Sequence, residues 1–220
     1  MDRANNGREG KEMKTKNIGL AILLLGSLLA GGCTFTGVIR NDIAPTAMVG
    51  RKNEARVGVY FTPRLANYVE TSRPATHAGS AHTYEFQMGP ALTAALTRSV
   101  EAVYANVFVV PTSPREGEFE RVFKFNLQSS NVRIEFVPGY FTTSAKADCI
   151  LHVSMETTNG SLKAIQRLSI NGNGFSNKQT GGVGDEAQRQ FSLAIEDAIR
   201  QLTENTANLL VAGVGERGTN

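Results

Sequence analysis

The sequence predicts an α+β domain: an antiparallel-rich mixed sheet covered on one face by two amphipathic helices, about 89–106 and 185–212. Three observations lead there. Two stretches repeat apolar residues at three- and four-residue steps, the period of one helix face. Between them several runs alternate apolar and polar residues, the period of a strand with one wet face. Their order is strand, helix, strand, a series of strands and a final helix, which is the arrangement of helices packed on a largely antiparallel sheet.

Arg56-Val-Gly-Val-Tyr-Phe61 is the first predicted strand, closed by Pro63. Residues 64–83 are small and polar, with Pro74 and Gly79, and predict a long loop. Pro90 suits a first helical turn, and Leu92, Leu96, Val100, Val103 and Tyr104 form the stripe of the first helix. Asn106 is expected to end it, with Val107–Val110 a short buried strand and Thr112–Glu118 an acidic loop. Phe123, Phe125 and Leu127 alternate in one run, and Val132, Ile134 and Phe136 in a second. Pro138-Gly139 predicts a turn, Ala147–Glu156 a strand, and Thr158-Asn-Gly-Ser161 a hairpin into a return strand with Leu162, Ala164, Leu168 and Ile170. Gly172-Asn-Gly174 and Gly181-Gly-Val-Gly184 are expected to bracket a polar loop. Asp185 is a fitting N-cap for the last helix, whose buried stripe is Phe191, Ala194, Ile195, Ala198, Ile199, Leu202 and Leu209.

With 41% hydrophobic and 20% charged residues, the chain has the composition of a folded domain. Its net charge is +3, but residues 1–32 hold five Lys/Arg against three Asp/Glu. The remainder is close to neutral and has no long basic run, which argues against a nucleic-acid partner.

Lys14 and Lys16 precede an uncharged run, Ile18–Ala30. As a helix it would span about 20 Å, short of the roughly 30 Å hydrocarbon core but right for a signal-peptide core. Ala30, Gly31 and Gly32 then lead directly to Cys33. Leu29-Ala30-Gly31-Gly32-Cys33 resembles the bacterial lipobox with one extra glycine, which puts Ala30 where the pattern usually has leucine. The resemblance implies cleavage before Cys33, acyl chains on Cys33 and anchoring in a membrane. Because Thr34 rather than Asp follows the cysteine, it also implies the outer membrane of a Gram-negative bacterium, with the body facing the periplasm. The expected organisation is a signal peptide at 1–32 (Met13, before Lys14, is the better start), a lipidated N-terminus and tether at 33–54, one domain at 55–212 and a flexible tail at 213–220.

Catalytic and metal-binding patterns are not found in the sequence. Cys33 and Cys149 are the two cysteines, so acylation of Cys33 leaves Cys149 without a disulfide partner. Cys149 lies in a strand-like run as an inert buried thiol, with His152 on the opposite face. His77, His82 and His152 have no metal-ligand spacing, and the glycines at 172–184 lack the Lys-Ser/Thr of a phosphate loop. Glu118/Glu120 and Glu196/Asp197 have the character of solvated faces, and no cofactor is expected.

Phe136-Val-Pro-Gly-Tyr-Phe141 puts three aromatics around a tight turn, where small polar residues are usual. Phe136, Pro138, Tyr140 and Phe141 are therefore candidate partner contacts, with Phe136 and Phe141 equally able to fold into the core. Tyr68 and Arg73 are weaker candidates. The order of elements over residues 55–212 is similar to that of small envelope lipoproteins of the YajG, curli-secretion, penicillin-binding-protein-activator and exopolysaccharide-export types. That similarity implies a non-enzymatic accessory or assembly role, through an envelope protein partner or a homo-oligomer. A periplasmic lipid- or glycan-binding lipoprotein is the alternative, and a hydrolase a more distant one.

Overall fold

A computed structural model describes residues 33–47, 50–140 and 142–215. The signal segment with Leu29, Ala30, Gly31 and Gly32, the turn residue Phe141 and the last five residues lie outside the described residues. The chain divides between Cys33 and Thr34, and the architecture below belongs to the unit that begins at Thr34.

That unit is α+β, with antiparallel-rich sheets and helices packed on them. Its elements are β1 (Thr34–Gly37), β2 (Asn53–Phe61), α1 (Pro63–Ala66), β3 (Val69–Ser72), β4 (Thr83–Gln87), α2 (Met88–Glu101), β5 (Tyr104–Val110), β6 (Arg121–Pro138), β7 (Thr143–Asn159), β8 (Ala164–Thr180) and α3 (Asp185–Gly215). The strands form two sheets, ordered β1-β4-β3 and β5-β2-β6-β7-β8. In the larger sheet β2 runs parallel to both β5 and β6, while β6, β7 and β8 form long antiparallel ladders. Among the described residues no helix is long and apolar enough to cross a membrane.

The inner face of the larger sheet carries Val57, Val59, Phe123, Phe125, Leu127, Leu151 and Val153, all buried. Against it lie Leu92, Leu96 and Val100 of α2 and Phe191, Ile195, Ile199 and Leu202 of α3. The two apolar runs predicted for residues 119–136 are one strand, β6. Its alternation changes phase because the β6–β7 register shifts between Leu127 and Ser129. One extra residue at a bulge moves inward positions from odd to even numbers, so Phe125 and Ile134 both face the core.

Several boundaries differ from expectation. The region 64–83 holds α1 and β3, and β4 begins at its end. β3 has no apolar alternation, since Val69 is exposed and Ser72 buried, and it becomes a strand by pairing with β4. The first helix stops at Glu101, because Tyr104 already enters β5 beside β2. That strand is an exposed edge rather than a buried one. The last helix continues through Gly215, past the expected tail boundary.

The polar loop expected around Gly172 and Gly174 is strand, part of the seventeen-residue β8. These glycines mark where α3 crosses β8 with backbone against backbone. A β-carbon on Gly174 would overlap the Ala194 carbonyl oxygen and lie 2.5 Å from the Ala198 nitrogen, and one on Gly172 would overlap the Ala198 carbonyl oxygen. Here α3 also guards the sheet edge. Asn173 N–H donates to Gln201 Oε1 (3.0 Å), and Asn205 Nδ2 donates to the Asn171 carbonyl (2.8 Å).

The segment expected to be a tether is an arm bound to the domain for most of its length. β1 pairs with β4, Ile39 and Ile43 are buried, and Asn53 and Glu54 already belong to β2. Arg40 N–H donates to Glu196 (3.1 Å), Thr46 N–H to Glu204 (2.7 Å), and Arg98 to the Ile43 carbonyl (3.0 Å). Two apolar anchors four residues apart are enough to seat the arm but too few to make a visible period.

Candidate functional site

Strand directions fix what surrounds the start of β1. Ser72 Oγ donates to the Val132 carbonyl, Ala75 N–H to Ile134 and Phe136 N–H to Thr76 Oγ1, so β3 and the loop after it run alongside β6 in the same direction. β4 is antiparallel to β3, and β1 is parallel to β4. Thr34 therefore sits at the pole of the domain where β6 ends and turns into β7. β8 ends there too, with Thr180 paired to Thr143. Cys33, exposed, is joined directly to Thr34, and successive Cα atoms are about 3.8 Å apart.

The aromatic turn at this pole is split between core and surface. Phe136 is fully buried and packs on Tyr84 and Phe191, with ring centroids 6.4 and 5.6 Å away. Its candidacy as a partner contact is withdrawn, because the phase of β6 after the bulge turns it inward with Ile134. Gly79, at φ +76°, lies under the Phe136 ring, where a β-carbon would come within 2.7 Å. Pro138 is exposed, Val137 is 45% exposed and Tyr140 is 95% exposed. Among the described residues the surface part of the motif is thus Val137–Tyr140, including Val137 and Gly139, which the sequence did not single out as contacts. Of the weaker candidates, Arg73 is exposed and donates to Thr83 Oγ1 (3.2 Å). Tyr68 is tied inward, its hydroxyl donating to Glu70 at 2.7 Å.

A second surface was not legible in the sequence. β5 is an edge strand, and Phe108 and Val109, on opposite faces of it, are 45% and 55% exposed. β5 has no charged residue along Tyr-Ala-Asn-Val-Phe-Val-Val. Arg56 lies over the Phe108 and Phe119 rings, 5.2 Å from each centroid. The only sequence signal was the apolar run itself, which suits a buried strand equally well.

The remaining chemical candidates have structural roles. Cys149 is buried opposite Gly174, and burial, with a smaller push from the Glu70 charge, raises its thiol from the ordinary 9.0 to about 12. Burial also pushes the Tyr68 and Tyr84 phenols up to about 12. These groups stay neutral in the folded chain while the unfolded chain ionises. The stability they carry is therefore fully present below pH 9 and is lost as pH rises from 9 to 12. Alkaline titration of the urea midpoint is expected to show this decline, with Cys149→Ala shallower from pH 9 upward. Native Cys149 should also resist iodoacetamide at pH 8 and react once unfolded. Labelling at the unfolded rate in the native chain would contradict its burial.

His152 Nδ1 lies 2.6 Å from Asn171 Oδ1, and His82 packs edge-on against Phe35. No group of three or more His, Cys, Asp or Glu is gathered for a metal among the described residues. In the loop at 181–184, Gly181 N–H donates to Glu186 Oε2 (3.0 Å), and the Tyr84 hydroxyl donates to the Val183 carbonyl. A carboxylate already occupies the amide that a phosphate would use. Glu118 and Glu120 accept from Arg115 N–H and Arg56 N–H, and Asp197 pairs with Arg200. A lipid or glycan between helix and sheet would meet closed packing at Gly172 and Gly174. A depression of about 590 Å³ is bordered by Arg133, Asp148, Ile150, Phe175, Asp197 and Gln201.

No protein-family model matches the chain, and no curated protein matches it. Among solved structures it is similar to the hypothetical protein CT253 from Chlamydia trachomatis, at 9% identity and a TM-score of 0.35, over 74% of this chain and 96% of that one. It is also similar to a putative neuraminyllactose-binding hemagglutinin homolog from Helicobacter pylori, at 11% identity and a TM-score of 0.35, over 80% of this chain and 89% of that one.

Proposed function

We propose that this chain is a lipid-anchored, non-enzymatic accessory subunit of a Gram-negative envelope assembly, held in the outer membrane by acyl chains on Cys33 and working in the periplasm through protein contacts. The lipobox-like Leu29–Cys33 supports the anchor, and Thr34 after the cysteine supports the outer membrane. The observation that carries the assembly role is the β5 edge. An uncharged strand with Phe108 and Val109 exposed on its two faces presents backbone donors and acceptors between apolar side chains. This is the surface that adds a strand from another protein, the backbone giving affinity and the flanking side chains selectivity.

A photoreactive phenylalanine at position 108, irradiated in intact envelopes, tests this. One discrete cross-linked species is expected, and Val109→Lys should remove it while leaving the thermal midpoint unchanged, since an edge lysine opposes strand addition. No adduct, or one that Val109→Lys leaves intact, would overturn the reading.

A further inference from the structure

The geometry points to the β6–β7 turn, Val137–Tyr140, as a membrane-contact surface beside the anchor: we propose that it rests in the interfacial layer of the lipid that holds residue 33. This rests on the lipid-anchor reading and adds to it an orientation and a contact site.

Three observations carry it. Residue 33 is bonded to Thr34, and Thr34 is fixed in register with Thr83 at the first position of β1. No slack therefore separates the acyl chains from the folded domain, and the pole that holds Thr34 must face the bilayer. The β6–β7 turn is at that same pole, level with the end of β8, and the loop at 74–80 joins the two. That loop lies against Phe136 and borders one depression with Pro138, and its Gly79 carbonyl accepts from His82 N–H, next to Thr83.

The turn also has the right chemistry. Tyr140, 95% exposed, combines an apolar ring with a polar hydroxyl, and Val137 and Pro138 extend the apolar surface beside it. Such side chains favour the headgroup layer, where one end is dry and the other wet. No charged residue lies between Glu135 and Lys146, and Glu135 is paired to Arg133 at 2.5 Å. Nothing charged on the turn itself would need to be desolvated. Exposed Arg73 and Lys178 at the same pole add attraction to anionic headgroups, against the acids Asp185 and Glu186 at the start of α3.

The chain contains no tryptophan, so Tyr140→Trp makes a single fluorophore at the turn. Ile165→Trp, exposed at the opposite end of the β7–β8 ladder, is the control. Full-length protein purified from membranes is reconstituted into phosphatidylethanolamine–phosphatidylglycerol vesicles, with or without lipids brominated near the carbonyl. The expected result is blue-shifted emission at position 140 that loses most of its intensity to the brominated lipid, while position 165 is unaffected. The mass of the peptide that begins at Cys33 is read on the same sample. An acylated chain whose position 140 is not quenched, or is quenched no more than position 165, overturns the proposal and leaves the anchor standing. A chain without acyl mass overturns the anchor and the proposal together.

Discussion

Gly174→Val is expected to leave the chain unable to reach its native state, and Gly174→Ala to destabilise it by about 3 kcal/mol or more, at or beyond the upper end for overpacking a core. A β-carbon there would overlap the Ala194 carbonyl oxygen and lie 2.5 Å from the Ala198 nitrogen, where carbon contacts normally sit at about 3.5–4.0 Å. Both neighbours are backbone atoms in the middle of a 31-residue helix, so no rotamer change relieves the clash. Relief requires lifting α3 from β8, which would open Phe191, Ile195, Ile199 and Leu202, all fully buried. Urea denaturation followed by circular dichroism measures the cost. Gly182→Ala is the matched control, since nothing lies within 4 Å of its β-carbon position. Equal midpoints for Gly174→Ala and Gly182→Ala would show that α3 does not lie where it is placed.

Cys33→Ser is expected to move the protein from the carbonate-washed membrane pellet to the soluble fraction. Serine cannot form the thioether, and each buried CH₂ of an acyl chain contributes about 0.8 kcal/mol of membrane binding, so two or three chains make the anchor durable. The contact proposed for Val137–Tyr140 is too small to replace them. The residue 33 side chain is exposed and no part of the core, so the thermal midpoint of the domain should not move. Persistent pelleting of the serine variant would refute the lipid anchor. Release together with a lowered midpoint would mean that residue 33 has a structural role as well.

Much of the fold was legible because its signals are local. Leu92, Leu96 and Val100 declare one helix, Phe191 to Leu202 the other, and the Cys149–Met155 alternation a strand with one buried face. The failures share a cause, which is that the deciding neighbour is distant in sequence. Gly172-Asn-Gly174 has the composition of a turn, and only the backbone of α3 explains why a strand needs glycine there. Ile39 and Ile43 are too few to set a period, so the arm passed for a tether. Phe136 could be placed only once the bulge at Leu127/Ser129 set the phase of β6. Of the candidate site, the proposal at Cys33 rests on the motif that precedes it alone, a segment outside the described residues. The β5 edge was not legible, because Val107–Val110 has the same pattern at a sheet's rim as at its centre.

The contact between α3 and β8 also limits how many copies or partners the larger sheet can join. A sheet with two open edges can grow in both directions, neighbour after neighbour, into a filament. Here Gln201 and Asn205 occupy the middle of the β8 edge, so an incoming strand meets a helix where it needs free backbone. Growth is confined to the β5 side, and a chain that has taken one strand there has no equivalent place for another. Pairing through this sheet therefore terminates at two.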